Sequence, residues 1–203
     1  MNSFSKLAMT AITSAGMVGA ALANTAIVVS VGGSRFAAKV EDTETGRAFL
    51  AKLPLTVSMT ELNGNEKYHY GVSLPTAAKY CSEIEAGDLM LYGSNCLVLF
   101  YGSAGGYSYM RIGKLVSTAG LAAAVGSGSA SVTFEKAVLK ATIKMNGANP
   151  EVGVETNLPS SVTITKLAAT TLPDDESGWK DYASLTDTEC ASCRFFKLKA
   201  ELD

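Results

Sequence analysis

The chain has 203 residues, 47% of them hydrophobic and 18% charged, with a formal net charge of −2. That is enough material for one good core or two modest ones. With no basic stripe, nucleic acid is excluded as a partner, and nothing recommends an anionic membrane surface. Short Val/Ile/Thr/Tyr runs separated by Gly-rich turns predict a mainly β protein.

Residues 1–23 read as a signal peptide. Lys6 gives a short positive start, residues 7–23 are apolar or small, and Ala21-Leu22-Ala23 fits the small-x-small cleavage rule. A membrane anchor is the alternative, but polar residues interrupt the run and no stop-transfer charges follow it. The mature chain would begin near Asn24, be exported and carry no membrane span. Residues 24–31 then form a strand, Gly32-Gly33-Ser34 a turn, and residues 36–40 the return strand. Asp42 or Thr43 caps a short helix with Phe49, Leu50 and Leu53 on one face, and Pro54 ends it. Strands follow at 55–60 and 67–72, joined by the turn Asn63-Gly64-Asn65. Glu61 and Glu66 flank that turn, and both are expected to be solvated there.

Residues 74–86 predict an irregular connection. Three strands come next, over 88–92, 96–101 and 107–116, linked by Gly93-Ser94-Asn95 and by a flexible Gly-rich loop at 102–106. A period of two places Tyr107, Tyr109 and Arg111 on one face of the third strand, with Ser108, Met110 and Ile112 on the other. Ser117 caps a short helix over 118–125, and residues 131–135 close the series. Strands interleaved with two short helices predict a closed barrel with helices at its ends.

The segments GDLMLY (87–92), LVLFYG (97–102) and SYMRIGKL (108–115), preceded by the LPLT strand at 53–56, resemble the bacterial cyclophilin-like domain family. The resemblance covers roughly residues 26–135. It implies a cyclophilin-like β-barrel over 24–136, with a peptide groove on its outer wall. It also implies prolyl isomerase activity as an alternative. True cyclophilins, however, carry their arginine in a Phe-His-Arg segment after the first helix, where this chain has LPLTVSM and KYHYGV.

Past Glu135 the resemblance stops. Residues 137–145, 152–155, 161–172 and 194–202 predict strands, with a turn at 146–150 and an acidic loop at 173–178. Together they predict a small C-terminal β-module over 137–203. The four cysteines, Cys81, Cys96, Cys190 and Cys193, form an even set in an exported chain and allow three pairings. Cys190 and Cys193 are the candidate disulfide. A redox dithiol would need a helix after the first cysteine, but RFFKLKA follows and reads as a strand. Zinc needs about four ligands, and the single histidine, His69, lies in another segment. No metal, cofactor or catalytic residue is assigned.

His69, between Tyr68 and Tyr70, is expected on an exposed strand. The best candidate surface is an aromatic–arginine patch of Tyr92, Tyr101, Tyr107, Tyr109 and Arg111, joined by Tyr68 or Tyr70. Tyrosine offers area and a hydrogen bond at little entropic cost, and arginine adds directional donors. The expected ligand is a peptide or a small molecule. The alternative uses of these residues are a stabilising cross-strand ladder and, for the whole chain, a structural cell-surface module.

Overall fold

The alternation of buried and exposed residues that the sequence writes along its short strands is realised as sheet. A computed structural model describes residues 7–14, 26–146, 149–169, 173, 175–186, 189–190, 193 and 195–202. The strands in chain order are β1 (Leu7–Ser14), β2 (Ala26–Val31), β3 (Ser34–Val40), β4 (Leu55–Leu62), β5 (Glu66–Tyr70) and β6 (Lys79–Cys81). They continue with β7 (Asp88–Tyr92), β8 (Cys96–Phe100), β9 (Tyr107–Leu115) and β10 (Ala130–Lys136). The last five are β11 (Leu139–Asn146), β12 (Asn149–Thr156), β13 (Thr163–Ala169), β14 (Lys180–Asp181) and β15 (Phe195–Leu202). Helix α1 (Glu44–Leu50) lies between β3 and β4, and α2 (Leu121–Val125) between β9 and β10.

The chain divides into two compact units, one spanning residues 25–136 and the other comprising 137–203 together with the N-terminal strand. In the first, eight strands follow the order β3-β2-β10-β4-β5-β8-β7-β9, and β9 pairs back onto β3 to close a barrel. The expected architecture, a closed barrel with two short helices, is therefore present. Its interior holds Ile27, Val29, Leu89, Leu97, Leu99 and Ile112, all within 1% of complete burial. Thr43 caps α1 by accepting the Gly46 N–H at 3.0 Å. The helix thereby seats Phe49 edge-on against Phe134, with ring centroids 5.5 Å apart.

Three local expectations are corrected. The helix over 118–125 begins only at Leu121, behind Gly120, which supplies no side-chain cap. Ser117 Oγ instead accepts the Ala119 N–H at 3.3 Å, a local serine turn that competes with the helix. Within the supposedly irregular 74–86 segment, β6 pairs with β9 through Tyr80↔Ser108. Three residues are too few to show a period, so only the neighbouring strand edge makes them a strand. The 102–106 loop is pinned rather than free. Ile84 and Ala104 exchange both backbone hydrogen bonds at 2.9 Å, and a Cβ on Gly105 would stand 2.2 Å from the Ser82 carbonyl oxygen.

In the second unit, β11 and β12 form a hairpin, and a separate sheet has the order β1-β15-β13-β14. Phe196, Leu198 and Ala200 are buried from alternate positions of β15. Residues Leu7–Ser14, read from sequence as part of a leader, run antiparallel to β15 from Leu7↔Leu202 to Ser14↔Phe195. The expected cleavage point at 21–23, the turn centre at 147–148, and Arg194 lie outside the described residues. In the candidate pair, the Cys193 N–H donates to the Cys190 carbonyl at 3.1 Å. Among the described residues, no helix is long and apolar enough to cross a membrane.

Candidate functional site

Strands β5, β8, β7 and β9 lie side by side in the barrel wall, and each has two useful faces. In β8, Leu97 and Leu99 point into the barrel, while Cys96, Val98 and Phe100 fall on the outer side in a second apolar cluster with Met90, Ile84 and Tyr109. Cross-strand register then aligns β5 with that outer face, pairing Glu66↔Phe100, Tyr68↔Val98 and Tyr70↔Cys96. The turn before β5 makes this register. Asn63 and Gly64 take positive φ values of 57° and 72°, so that Glu66 already pairs with Leu62.

The result is a cavity of about 310 Å³ on the outer wall. Tyr68, Tyr70, Tyr92, Tyr107 and Tyr109 supply its walls, Cys96 and Val98 line it from β8, and Glu66 lies among them. The rings are set at angles. Tyr68 and Tyr70 have centroids 5.7 Å apart at 75°, and Tyr92 and Tyr109 are 5.5 Å apart at 54°. Phe100 braces Tyr109 edge-on at 5.6 Å.

Burial pushes the Glu66 carboxyl above its ordinary range, and the nearby charge of Glu61 adds to the effect. Glu66 is only 7% exposed, and among the described residues no hydrogen bond or ion pair reaches its side chain. Burial also raises the Cys96 thiol, with Glu66 adding, against opposing hydrogen bonds from Tyr70 and His69. Cys96 is therefore a protonated thiol at neutral pH, a poor nucleophile. Burial likewise raises the Tyr109 phenol, which stays a neutral hydroxyl. The chemistry available is recognition by aromatic faces and one carboxylate.

The model of the cyclophilin-like family matches residues 29–135 of this chain. The chain belongs to the cyclophilin-like family. No curated protein and no solved structure matches it. The matched span includes every residue of the cavity.

Within this cyclophilin-like barrel, three of the five expected patch residues come together: Tyr92, Tyr107 and Tyr109. Tyr101 and Arg111 do not, and both are corrections. Tyr101 continues the inward parity of Leu97 and Leu99, and its hydroxyl donates to Glu61 at 2.7 Å. Burial and that carboxylate push its phenol up to about 12. Arg111 keeps the expected outward face, but its guanidinium turns to the buried Asp88 and stands 3.8 Å from Glu41. Its role is to tie β9 to β7. Arg47 lies at the surface, paired with Asp42 at 2.5 Å, so neither arginine lines the cavity.

The sequence reading missed Glu66, Cys96 and Val98. Glu66 is not a solvated turn charge, because it belongs to the strand and shares the parity of Tyr68 and Tyr70. The pattern Glu-x-Tyr-x-Tyr carried that signal. The opposite face of β5 carries Lys67, fully buried, which donates to Glu61 at 2.5 Å and to the carbonyls of Gly126 and Gly128 at 2.8 and 2.6 Å. Glu61 is held below its ordinary range. Burial opposes that, but hydrogen bonds from Lys67, Tyr101 and Gly64 outweigh it. His69, expected exposed, is half-buried with Nδ1 2.9 Å from the Ser58 carbonyl. Among the described residues, no group of three or more His, Cys, Asp or Glu side chains gathers.

Proposed function

We propose that this barrel is a non-catalytic binding domain that takes a small ligand, or one side chain of a peptide, in the tyrosine-walled cavity on its outer wall. The observation that carries this reading is the cavity itself, lined by five tyrosines around a single carboxylate. A concave, aromatic-lined recess with convergent polar groups is a usual form of small-molecule site. At about 310 Å³ it is small, which favours one compact group over an extended peptide. The test is a thermal-shift and NMR screen of the full chain against small molecules and short peptides, repeated on Tyr92→Ala/Tyr107→Ala. Hits should lose their effect in the double variant. Hits that bind the variant equally well would place binding elsewhere and refute the proposal.

We also propose that the protein is exported, with Lys6, the apolar stretch at 7–23 and Ala21-Leu22-Ala23 supporting cleavage before Asn24. Intact mass of the protein from fractionated cells tests this. A full-length chain confined to the cytosol would refute it.

A further inference from the structure

We infer that the outer-wall cavity is a site for an alkylammonium group, held between the Glu66 carboxylate and the faces of the surrounding tyrosines; this rests on reading the cavity as the binding site. A carboxylate with so little exposure is ordinarily paired, because an unpaired charge in a low-dielectric setting is costly. Among the described residues Glu66 has no such partner, and it opens into a cavity rather than into packed protein. A ligand cation would complete it.

The cations of the chain cannot. Among the described residues, no lysine or arginine lines the cavity. Lys67 is next to Glu66 in sequence but faces the barrel interior, where Glu61, Gly126 and Gly128 take its three donors. Arg111 is engaged by Asp88. The cavity therefore holds one carboxylate and no lining cation, which disfavours anions and gives an ammonium an ion pair that a neutral ligand lacks.

The rings supply the second half of the site. Aromatic faces carry the negative part of the ring quadrupole and attract a cation within about 6 Å of the centroid. Tyr68 and Tyr70 meet at 75° and Tyr92 and Tyr109 at 54°, so neither pair is a flat stack, and all four line the cavity. A compact ammonium head with a short apolar stem matches a recess of about 310 Å³ floored by Val98 and Cys96. That chemistry is shared by free amines and by a lysine side chain of another protein.

The test is calorimetric titration of the full chain, with NMR of the tyrosine rings to locate each probe. n-Butylammonium and tetramethylammonium are compared with n-butanol, tert-butanol and butyrate, and N-acetyl-lysine methylamide with N-acetyl-norleucine methylamide. We expect the ammonium probes to bind at least about tenfold more tightly than the neutral ones, butyrate not to bind, and Glu66→Gln to remove that preference. Glu66→Asp, which keeps the charge, should retain part of it, and Glu44→Gln, at the exposed start of α1, should leave it unchanged. A lysine amide bound more tightly than butylammonium would point to a protein lysine as the source, and equal binding to a free amine. Equal binding of butanol and butylammonium, or an unchanged preference in Glu66→Gln, would overturn the inference while leaving a ligand cavity in place. No response of the cavity tyrosines to any probe would overturn both.

Discussion

Replacing Lys67 by methionine keeps most of the side chain's volume and removes only the ammonium. The side chain is fully buried, and three acceptors depend on it: Glu61 at 2.5 Å and the Gly126 and Gly128 carbonyls at 2.8 and 2.6 Å. Breaking a buried pair from one side costs about 3–5 kcal/mol. Two circumstances favour the lower end of that range. Glu61 is 24% exposed and keeps the Tyr101 hydroxyl, and Gly126 and Gly128 are exposed, so water can replace the lost donor. We expect a loss of about 3 kcal/mol, which is a fall in Tm of roughly 6–12 °C for a chain of this size. The assay is urea unfolding of the full chain at pH 7, followed by tyrosine near-UV circular dichroism. Of the 8 tyrosines only Tyr182 lies outside residues 25–136, whereas the single tryptophan, Trp179, belongs to the other unit. The midpoint should fall at unchanged slope. Glu61→Leu combined with Lys67→Met should recover at least half of the loss, since neither charge then lacks its partner. A loss under about 1 kcal/mol for Lys67→Met would refute the argument, showing the ammonium to be dispensable to the barrel.

Glu66→Gln should raise the urea midpoint of the barrel at pH 7 in the same assay, because it removes a charge that has no partner among the described residues. The sign follows from the raised carboxyl: its contribution is fully present below the unfolded pKa and is lost as pH rises through the folded one. Glu61 behaves oppositely, its contribution being present above the unfolded pKa and lost as pH falls through the lowered folded one. The ionisable groups facing Glu66 are Tyr68 and Tyr70 on β5, Cys96 on β8, Tyr92 on β7, and Tyr107 and Tyr109 on β9. Glu61, on the other face, is a carboxyl whose charge also reaches Glu66, and a stability difference between Glu66→Gln and the parent chain that failed to shrink on acidification would contradict the assignment. Gly105→Ala should cost about 1–3 kcal/mol, read as a lower urea midpoint, because its methyl would meet the Ser82 carbonyl oxygen. Thr43→Ala should cost about 1 kcal/mol through the lost α1 cap, and Thr43→Ser should restore most of it.

The strands at the centre of the barrel were legible because each condition on them is local. Turn residues bound them, and a period of two sorts Leu89, Leu91, Leu97 and Leu99 to one side. The same rule also held information that the patch reading passed over. Tyr101 has the inward parity of Leu97 and Leu99, and Glu66 has the parity of Tyr68 and Tyr70. Other features are set at long range. Parity puts Arg111 outward correctly but does not say that its long side chain turns to Asp88, 23 positions away. Likewise, β6 exists through its pairing with β9, and the 102–106 loop is pinned by a bridge to Ile84. None of these leaves a trace in local composition.

The two-sided wall divides the cavity into parts with unequal freedom to change. Val98 and Tyr109 are buried in the outer cluster with Met90, Cys96 and Phe100, on strands whose other side chains fill the barrel, so altering their shape disturbs packed neighbours. Tyr70, Tyr92 and Tyr107 are 59%, 46% and 62% exposed and stand at the mouth. Exposed positions tolerate replacement within about 0.5 kcal/mol. On the proposed reading of the cavity, its three mouth positions can therefore change by single steps, each nearly free of consequence for folding, while the floor is inherited intact.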